Sequence, residues 1–276
     1  MEIGIDPILF EIGSLEVRWY GVMVALAVLT GVGVPVLLAR KEGIGNITQN
    51  NILSVAIWAV PGGIIGARLI HVFDRWSYFM DNPGEIVGGE GMGIFGAILG
   101  GTIVGVLYAR IRGIPIGRLC DVAAFGLILA QAVGRIGCTL NGCCYGTPTD
   151  LPWGTMWTHP DSYGFNGTFA KGVSVHPTQI YELLFDLLIF AFLWSIRKRI
   201  RPPGALYLIY ISTYSLGRFL ISFLRTNEEA FLGLQQAQVV SLIVLVVAVG
   251  LIGYLYRKPP SEPDPSPSES SENTQV

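Results

Sequence analysis

Arg135, Arg218 and Arg225, with the acid Glu182, lie within or at the edge of strongly apolar runs. A charged side chain inside a bilayer is costly and ordinarily faces a partner or a polar cavity. Arg135 also belongs to a denser cluster. The stretch from Val133 to Gly146 holds Asn141 and three of the chain's four cysteines, Cys138, Cys143 and Cys144, where an apolar run ends. Guanidinium groups bind phosphate bidentately, so arginines gathered at headgroup depth suit a lipid phosphate. For any one arginine alone, the competing account is snorkelling to the interface. The cysteines admit thiol redox chemistry or metal ligation. However, Cys143 and Cys144 are vicinal, no Cys-x-x-Cys is present, and a set made of the three with the remote His176 lacks the spacing of a metal site. Small residues packing a tight turn is the simpler reading. No nucleophile elbow, Walker loop or His-Glu-x-x-His motif occurs, so neither a metal nor a cofactor is expected.

The elements that must position these groups are apolar spans. The chain has 276 residues, 51% hydrophobic and 14% charged, against roughly 25% charged in soluble domains. That deficit excludes an ordinary soluble enzyme and, with a net charge of -2, gives no reason to expect a nucleic-acid partner. A span needs roughly 20 apolar residues. Seven runs qualify: Trp19–Ala39, Ile52–Phe73, Met92–Ala109, Leu119–Ile136, Thr178–Ile196, Ala205–Leu224 and Ala237–Tyr256. Strand-type alternation is absent, so the expected fold is an all-α integral membrane protein of seven transmembrane helices. Arg40, Lys41, Arg110, Arg112, Arg118, Arg197, Lys198, Arg199, Arg201, Arg257 and Lys258 all fall on one side, eleven of the 18 basic residues. The positive-inside bias therefore puts the N-terminus outside and the C-terminus in the cytoplasm.

Residues 1–258 read as one membrane domain. Within it, 137–177 is too polar to span and too long for a turn, and its Trp153, Trp157, Tyr163 and Phe165 suggest an ordered extracytoplasmic (periplasmic) cap between spans four and five. Residues 259–276, rich in Pro, Ser and Glu, read as a disordered cytoplasmic tail. No cleavable signal peptide is evident. The pairs Gly62/Gly66, Gly96/Gly100 and Gly101/Gly105 have the small-xxx-small spacing of close helix contacts.

Helical rise converts position into depth. Arg135 lies roughly 25 Å above Arg118, Arg218 roughly 21 Å above Gly204, Tyr181 roughly 24 Å above Arg197, Arg68 roughly 25 Å above Asn51 and Tyr20 roughly 30 Å above Arg40. All fall in the outer half of a core about 30 Å thick, as do His71, Gln179 and Glu182. Tyr210, Tyr214, Arg218 and Ser222 recur every four residues on one helical face, with Arg225 beyond. Gln179, Glu182 and Asp186 share a face of span five. One shared polar cavity is the economical reading, although Glu182 neutralising a single arginine explains part of it.

Gly134-Arg135-Ile136-Gly137, followed by Leu140-Asn141-Gly142 and Tyr145-Gly146, resembles the signature of the prolipoprotein diacylglyceryl transferases of bacterial inner membranes. Arg18-Trp19-Tyr20-Gly21, Gly66-Ala67-Arg68, His176-Pro177-Thr178-Gln179-Ile180-Tyr181-Glu182 and Tyr214-Ser215-Leu216-Gly217-Arg218 with Phe223-Leu224-Arg225 resemble further family motifs in order, and only the tail lies outside. The resemblance implies a multi-pass inner-membrane enzyme that moves the diacylglyceryl group of phosphatidylglycerol onto the lipobox cysteine of a preprolipoprotein. It implies Arg135 and Arg218 as the essential arginines. Tyr20, Arg68, Asn141, Gly146, His176, Gln179, Tyr181, Glu182, Tyr214 and Arg225 would be substrate-binding residues. Other expected partners are membrane lipids, and the protein is expected to be a monomer. The sequence departs from the family where a span-three His is replaced by Phe95, an Asn by Cys138, a Glu by Cys143 and an acid by Ser222. The base is left open among His71, His176, a tyrosine and the arginine field itself. A catalytically weak lipid- or lipoprotein-binding relative, a thiol redox membrane protein and a transporter are the competing classes.

Overall fold

The computed structural model describes residues 1–13, 15–42, 47–86, 94–167, 172–225, 229–231 and 233–257. The expected tail lies outside the described residues, as does Met92 at the expected start of span three; so does the Phe95 side chain. Helices stand at all seven expected places: α1 (Trp19–Glu42), α2 (Gln49–Asp74), α4 (Ile94–Ile111), α5 (Ile116–Asn141), α6 (Thr178–Ile196), α7 (Ala205–Ser222) and α8 (Gln236–Arg257). A short α3 (Trp76–Asp81) follows α2. Five of them, α1, α2, α5, α6 and α8, are long and apolar enough to cross a membrane. The described part of α4 is a shorter apolar helix, and α7 is diluted by its tyrosines, hydroxyls and Arg218. The chain is thus a mostly helical, multi-pass membrane protein.

Two helix pairs dominate the packing, α2 with α4 and α1 with α5, and α7 packs on α8 and more lightly on α5 and α6. Glycine makes the first pair possible. A Cβ on Gly66 would strike the Gly96 carbonyl and Gly100 Cα, and one on Gly96 would strike the Gly66 carbonyl, so the backbones themselves are in contact. Because backbone cannot yield as a side-chain tip can, Gly66→Val is expected to lower stability by about 3 kcal/mol. Thermal unfolding in detergent checks this, and a melting temperature equal to wild type would contradict the close approach. In the second pair Gly126 of α5 faces the Gly31 carbonyl and the Pro35 ring of α1. Proline at 35 lacks the N–H that would have bonded the carbonyl four residues earlier, and Gly31 is that residue.

The apolar core sits toward the ends bearing Arg40, Arg110 and Arg197, around Val122, Ala124, Phe125, Ile128 and Leu193. Phe125 meets Phe190 and Trp194 edge to face at 6.0 and 5.9 Å. Asp121, buried there, accepts from the backbone N–H groups of Gly204 (2.7 Å) and Tyr207 (3.1 Å). It caps α7 from another helix, occupying donors that a helix N-terminus leaves unsatisfied.

The opposite end carries the cap. The chain reverses at Gly142, in the left-handed region at φ 72, then runs through β4 (Met156–Trp157) to α6. Residues ahead of α1 join it. β1 (Glu2–Ile3) pairs in parallel with β4, and β2 (Ile8–Ile12) forms a hairpin with β3 (Leu15–Arg18). Neither feature was expected from the sequence. Of the cap aromatics expected at the headgroup zone, Trp153 and Tyr163 are exposed, but Trp157 is buried. Its indole N–H donates to the Thr139 carbonyl (2.9 Å) and its ring covers Gly142 and Gly164, so it closes the end of α5 and does not face lipid.

Candidate active site

At the cap end of the bundle, α5, α6 and α7 converge on one carboxylate. Glu182 of α6 is 3% exposed, and three guanidiniums meet it. Arg135 of α5 pairs with Oε2. Arg218 of α7 donates from Nη1 to Oε1 at 2.5 Å, and Arg225, in the turn after α7, donates to the same oxygen at 3.1 Å. A carboxylate has about four lone-pair sites, which is why one acid can hold three partners. The arrangement remains cationic in excess, because three positive charges share one negative charge at ion-pair distance.

Each partner is positioned by its own element. Arg218 and Ser222 lie one turn apart on α7, and the Ser222 hydroxyl donates to the Arg218 carbonyl at 2.7 Å. Gly217 is packed against the Phe185 ring, which brings α7 onto α6 at the level of the ion cluster. Arg225 is anchored through its carbonyl, which accepts from Gln235 Nε2 at 2.6 Å. Further down α7, the Tyr210 hydroxyl donates to Gln131 of α5 at 3.0 Å, and Tyr214 stacks obliquely on Tyr210 at 6.3 Å. Asp186, one turn below Glu182, is buried with neither carboxylate oxygen hydrogen-bonded among the described residues. Its face was legible in the sequence, but its isolation was not.

The remaining expected site residues fall into two groups. Several line the ion cluster or the cap above it. Gln179 is fully buried and donates to the Cys143 carbonyl at 2.6 Å. Asn141 ends α5, buried, with its Oδ1 unsatisfied among the described residues. The backbone N–H of Gly146 donates to the His176 carbonyl (2.9 Å), and a Cβ there would strike Leu224, Thr178 and His176, so only glycine fits. His176 Nδ1 lies 3.3 Å from the Tyr181 hydroxyl, which also accepts from Trp153 Nε1 at 2.8 Å. Tyr20, in the first turn of α1, lies against Gly137 of α5. Arg68 is elsewhere. Its Nε donates to the Ile86 carbonyl at 2.8 Å, a terminal nitrogen donates to the Glu85 carbonyl, and its guanidinium lies 5.3 Å over the Phe79 ring. His71 meets the same Phe79 edge to face at 5.8 Å. Both lie on α2 and are engaged by α3 and the segment after it.

Arginines pre-aimed at a common point in a shielded site form an anion receptor whose donors are already oriented when charge develops. Guanidinium forks favour phosphate or carboxylate over other anions. Fold and site together define a polytopic membrane protein with an arginine-lined anion centre roofed by its own cap. The comparisons give that class its family. The chain belongs to the prolipoprotein diacylglyceryl transferases, whose family model matches residues 7–254. A phosphatidylglycerol–prolipoprotein diacylglyceryl transferase of Dehalococcoides mccartyi is 46% identical over 257 residues, covering 93% of this chain and 96% of the relative. Enzymes of the same name from Clostridioides difficile (35% over 253 residues, 91% and 95% covered) and Nostoc (36% over 274 residues, 95% and 93% covered) are also similar.

Proposed function

We propose that this chain transfers the diacylglyceryl group of phosphatidylglycerol to the lipobox cysteine of preprolipoproteins, the first step of bacterial lipoprotein maturation. The convergence of Arg135, Arg218 and Arg225 on Glu182 carries this reading, because the reaction requires charge to be stabilised on a departing phosphate. The cysteine sulfur attacks the glycerol carbon that bears the phosphate. A carbon–sulfur bond forms, the carbon–oxygen bond breaks, and glycerol phosphate leaves with the electron pair. The thiol proton must depart, and a positive field favours the thiolate. Arg135 and Arg218 hold the phosphate. Tyr20, Asn141, Gly146, His176, Gln179, Tyr181, Tyr214 and Arg225 shape the pocket and its roof, Glu182 orients the arginines, and Arg68 braces the loop at its rim.

In this reading all seven long helices cross the bacterial inner membrane. The cap and N-terminal segment face the periplasm and the basic ends face the cytoplasm, as the charge asymmetry supports. The protein acts as a monomer on two partners, phosphatidylglycerol and the signal peptide of a preprolipoprotein, and no cofactor takes part. Reconstitution with phosphatidylglycerol and a lipobox peptide is expected to yield the thioether peptide and glycerol phosphate. Folded protein that gives neither would overturn the assignment. A second reading rests on Phe95, which cannot accept a proton where the resemblance implies a histidine. In that reading the chain binds phosphatidylglycerol without transferring from it, and retained lipid binding with no product would favour it.

A further inference from the structure

The end of α5 brings three sulfurs together. The N–H of Gly142 donates to the Thr139 carbonyl (3.3 Å) and that of Cys143 to the Cys138 carbonyl (3.1 Å). This pair of bonds is the Schellman helix ending, in which the second residue past the cap packs on the third residue from the end. Here those two residues are Cys143 and Cys138, so a contact ordinarily made by apolar side chains is made by two thiols. Cys144 then adopts φ 67, unusual for a residue with a side chain, and its sulfur joins the other two. All three sulfurs lie within 4.8 Å of one another, and none is in a disulfide.

The surroundings hold this geometry. The Gln179 amide donates to the Cys143 carbonyl (2.6 Å) and the Thr178 hydroxyl to the Cys144 carbonyl (2.7 Å), so α6 fixes the backbone of both turn cysteines. Cys138 is buried, and Cys143 and Cys144 are half-buried. Arg225 and Arg135 stand close enough for their charges to act on the Cys144 sulfur. A metal–thiolate bond is about 2.3 Å, so sulfurs around a shared ion lie about 3.8–4.0 Å apart. That separation is within the spacing found here. Three thiolates on a divalent ion leave one net negative charge, and the neighbouring guanidiniums offset it.

We propose that Cys138, Cys143 and Cys144 form a site for one thiophilic d10 cation of the zinc, cadmium or copper(I) class, coordinated by three thiolates with loss of the thiol protons. The site stands beside the Glu182 ion cluster but takes no ligand from it. It gives the cysteines a role independent of diacylglyceryl transfer.

Cadmium tests this in the full-length protein, reduced and kept anaerobic in detergent. Native mass spectrometry is expected to show one Cd2+ per chain. The cadmium–thiolate charge-transfer band should saturate at one equivalent with the intensity of three thiolates. Cys138→Ser, Cys143→Ser and Cys144→Ser should each weaken binding at least tenfold, whereas Cys120→Ser should leave it unchanged. Thermal melting without metal shows that each variant is folded, and the wild-type stoichiometry and band intensity stand without any variant. No saturable band, an intensity of one or two thiolates, an equal loss in Cys120→Ser, or a disulfide within the trio that survives reductant would each overturn the proposal.

Discussion

Glu182→Ala is expected to abolish transfer and to lower the stability of the protein by about 3–5 kcal/mol, the cost of leaving buried charge uncompensated. The reason lies in the count of partners. Arg135, Arg218 and Arg225 reach Glu182 from α5, from α7 and from the turn after α7. Removing the carboxylate leaves three guanidiniums repelling one another at a site where the acid itself is 3% exposed. Relief comes only by spreading the helices or admitting water, and either change loses the common aim of the arginines. Glu182→Gln keeps an accepting oxygen and the side-chain volume but not the charge, so it should fall between wild type and Glu182→Ala in melting temperature. Activity with phosphatidylglycerol and a lipobox peptide, measured beside thermal unfolding, checks both. Wild-type turnover and melting in Glu182→Ala would rule out Glu182 as the organiser of the site.

The second large effect separates chemistry from folding. Arg135→Ala or Arg218→Ala should reduce turnover about 100- to 1000-fold, the range for loss of one pre-oriented donor to developing charge. Stability should suffer less than in Glu182→Ala, since the acid keeps two of its three arginines. Lysine should rescue poorly at either position, because a point charge on a flexible stem cannot reproduce the planar fork. The comparison to make is turnover at saturating phosphatidylglycerol in protein of near-normal melting temperature. Full turnover in either alanine variant would remove the phosphate clamp from the mechanism.

These residues could be brought together from sequence because helical rise is nearly constant. Counting from the basic end of each span gives depth, and the four-residue recurrence on α7 with the Gln179–Glu182–Asp186 face of α6 gives direction. Depth does not say which helices are neighbours. Arg68 has the right height, but α2 is paired to α4 by glycine contact, and its guanidinium is taken up by the carbonyls of Glu85 and Ile86. Phe95 cannot be set against the acid in the same way, since its side chain lies outside the described residues. The cysteine trio was readable in principle. Gly142 after an apolar run marks a helix end, and the spacing 138, 143, 144 then follows the Schellman ending. Without the left-handed backbone at Cys144, however, nothing in the sequence turns the third sulfur inward. The pairing of Glu2–Ile3 with Met156–Trp157 left no signal, because two-residue strands have no periodicity to read.

That last pairing bears on the order in which the molecule is completed. The Met1 amine donates to the Gly154 carbonyl at 2.6 Å across 153 residues of chain, and the N–H groups of Met156 and Thr158 donate to the carbonyls of Met1 and Ile3. Residues 1–3 therefore wait for a partner strand that emerges only after α5 has been made. Closing so long a loop is entropically unfavourable and is rewarded late. The seam between β1 and β4 should thus be the last part of the cap to set during biogenesis and, having few bonds of its own, among the first to open when the folded protein breathes.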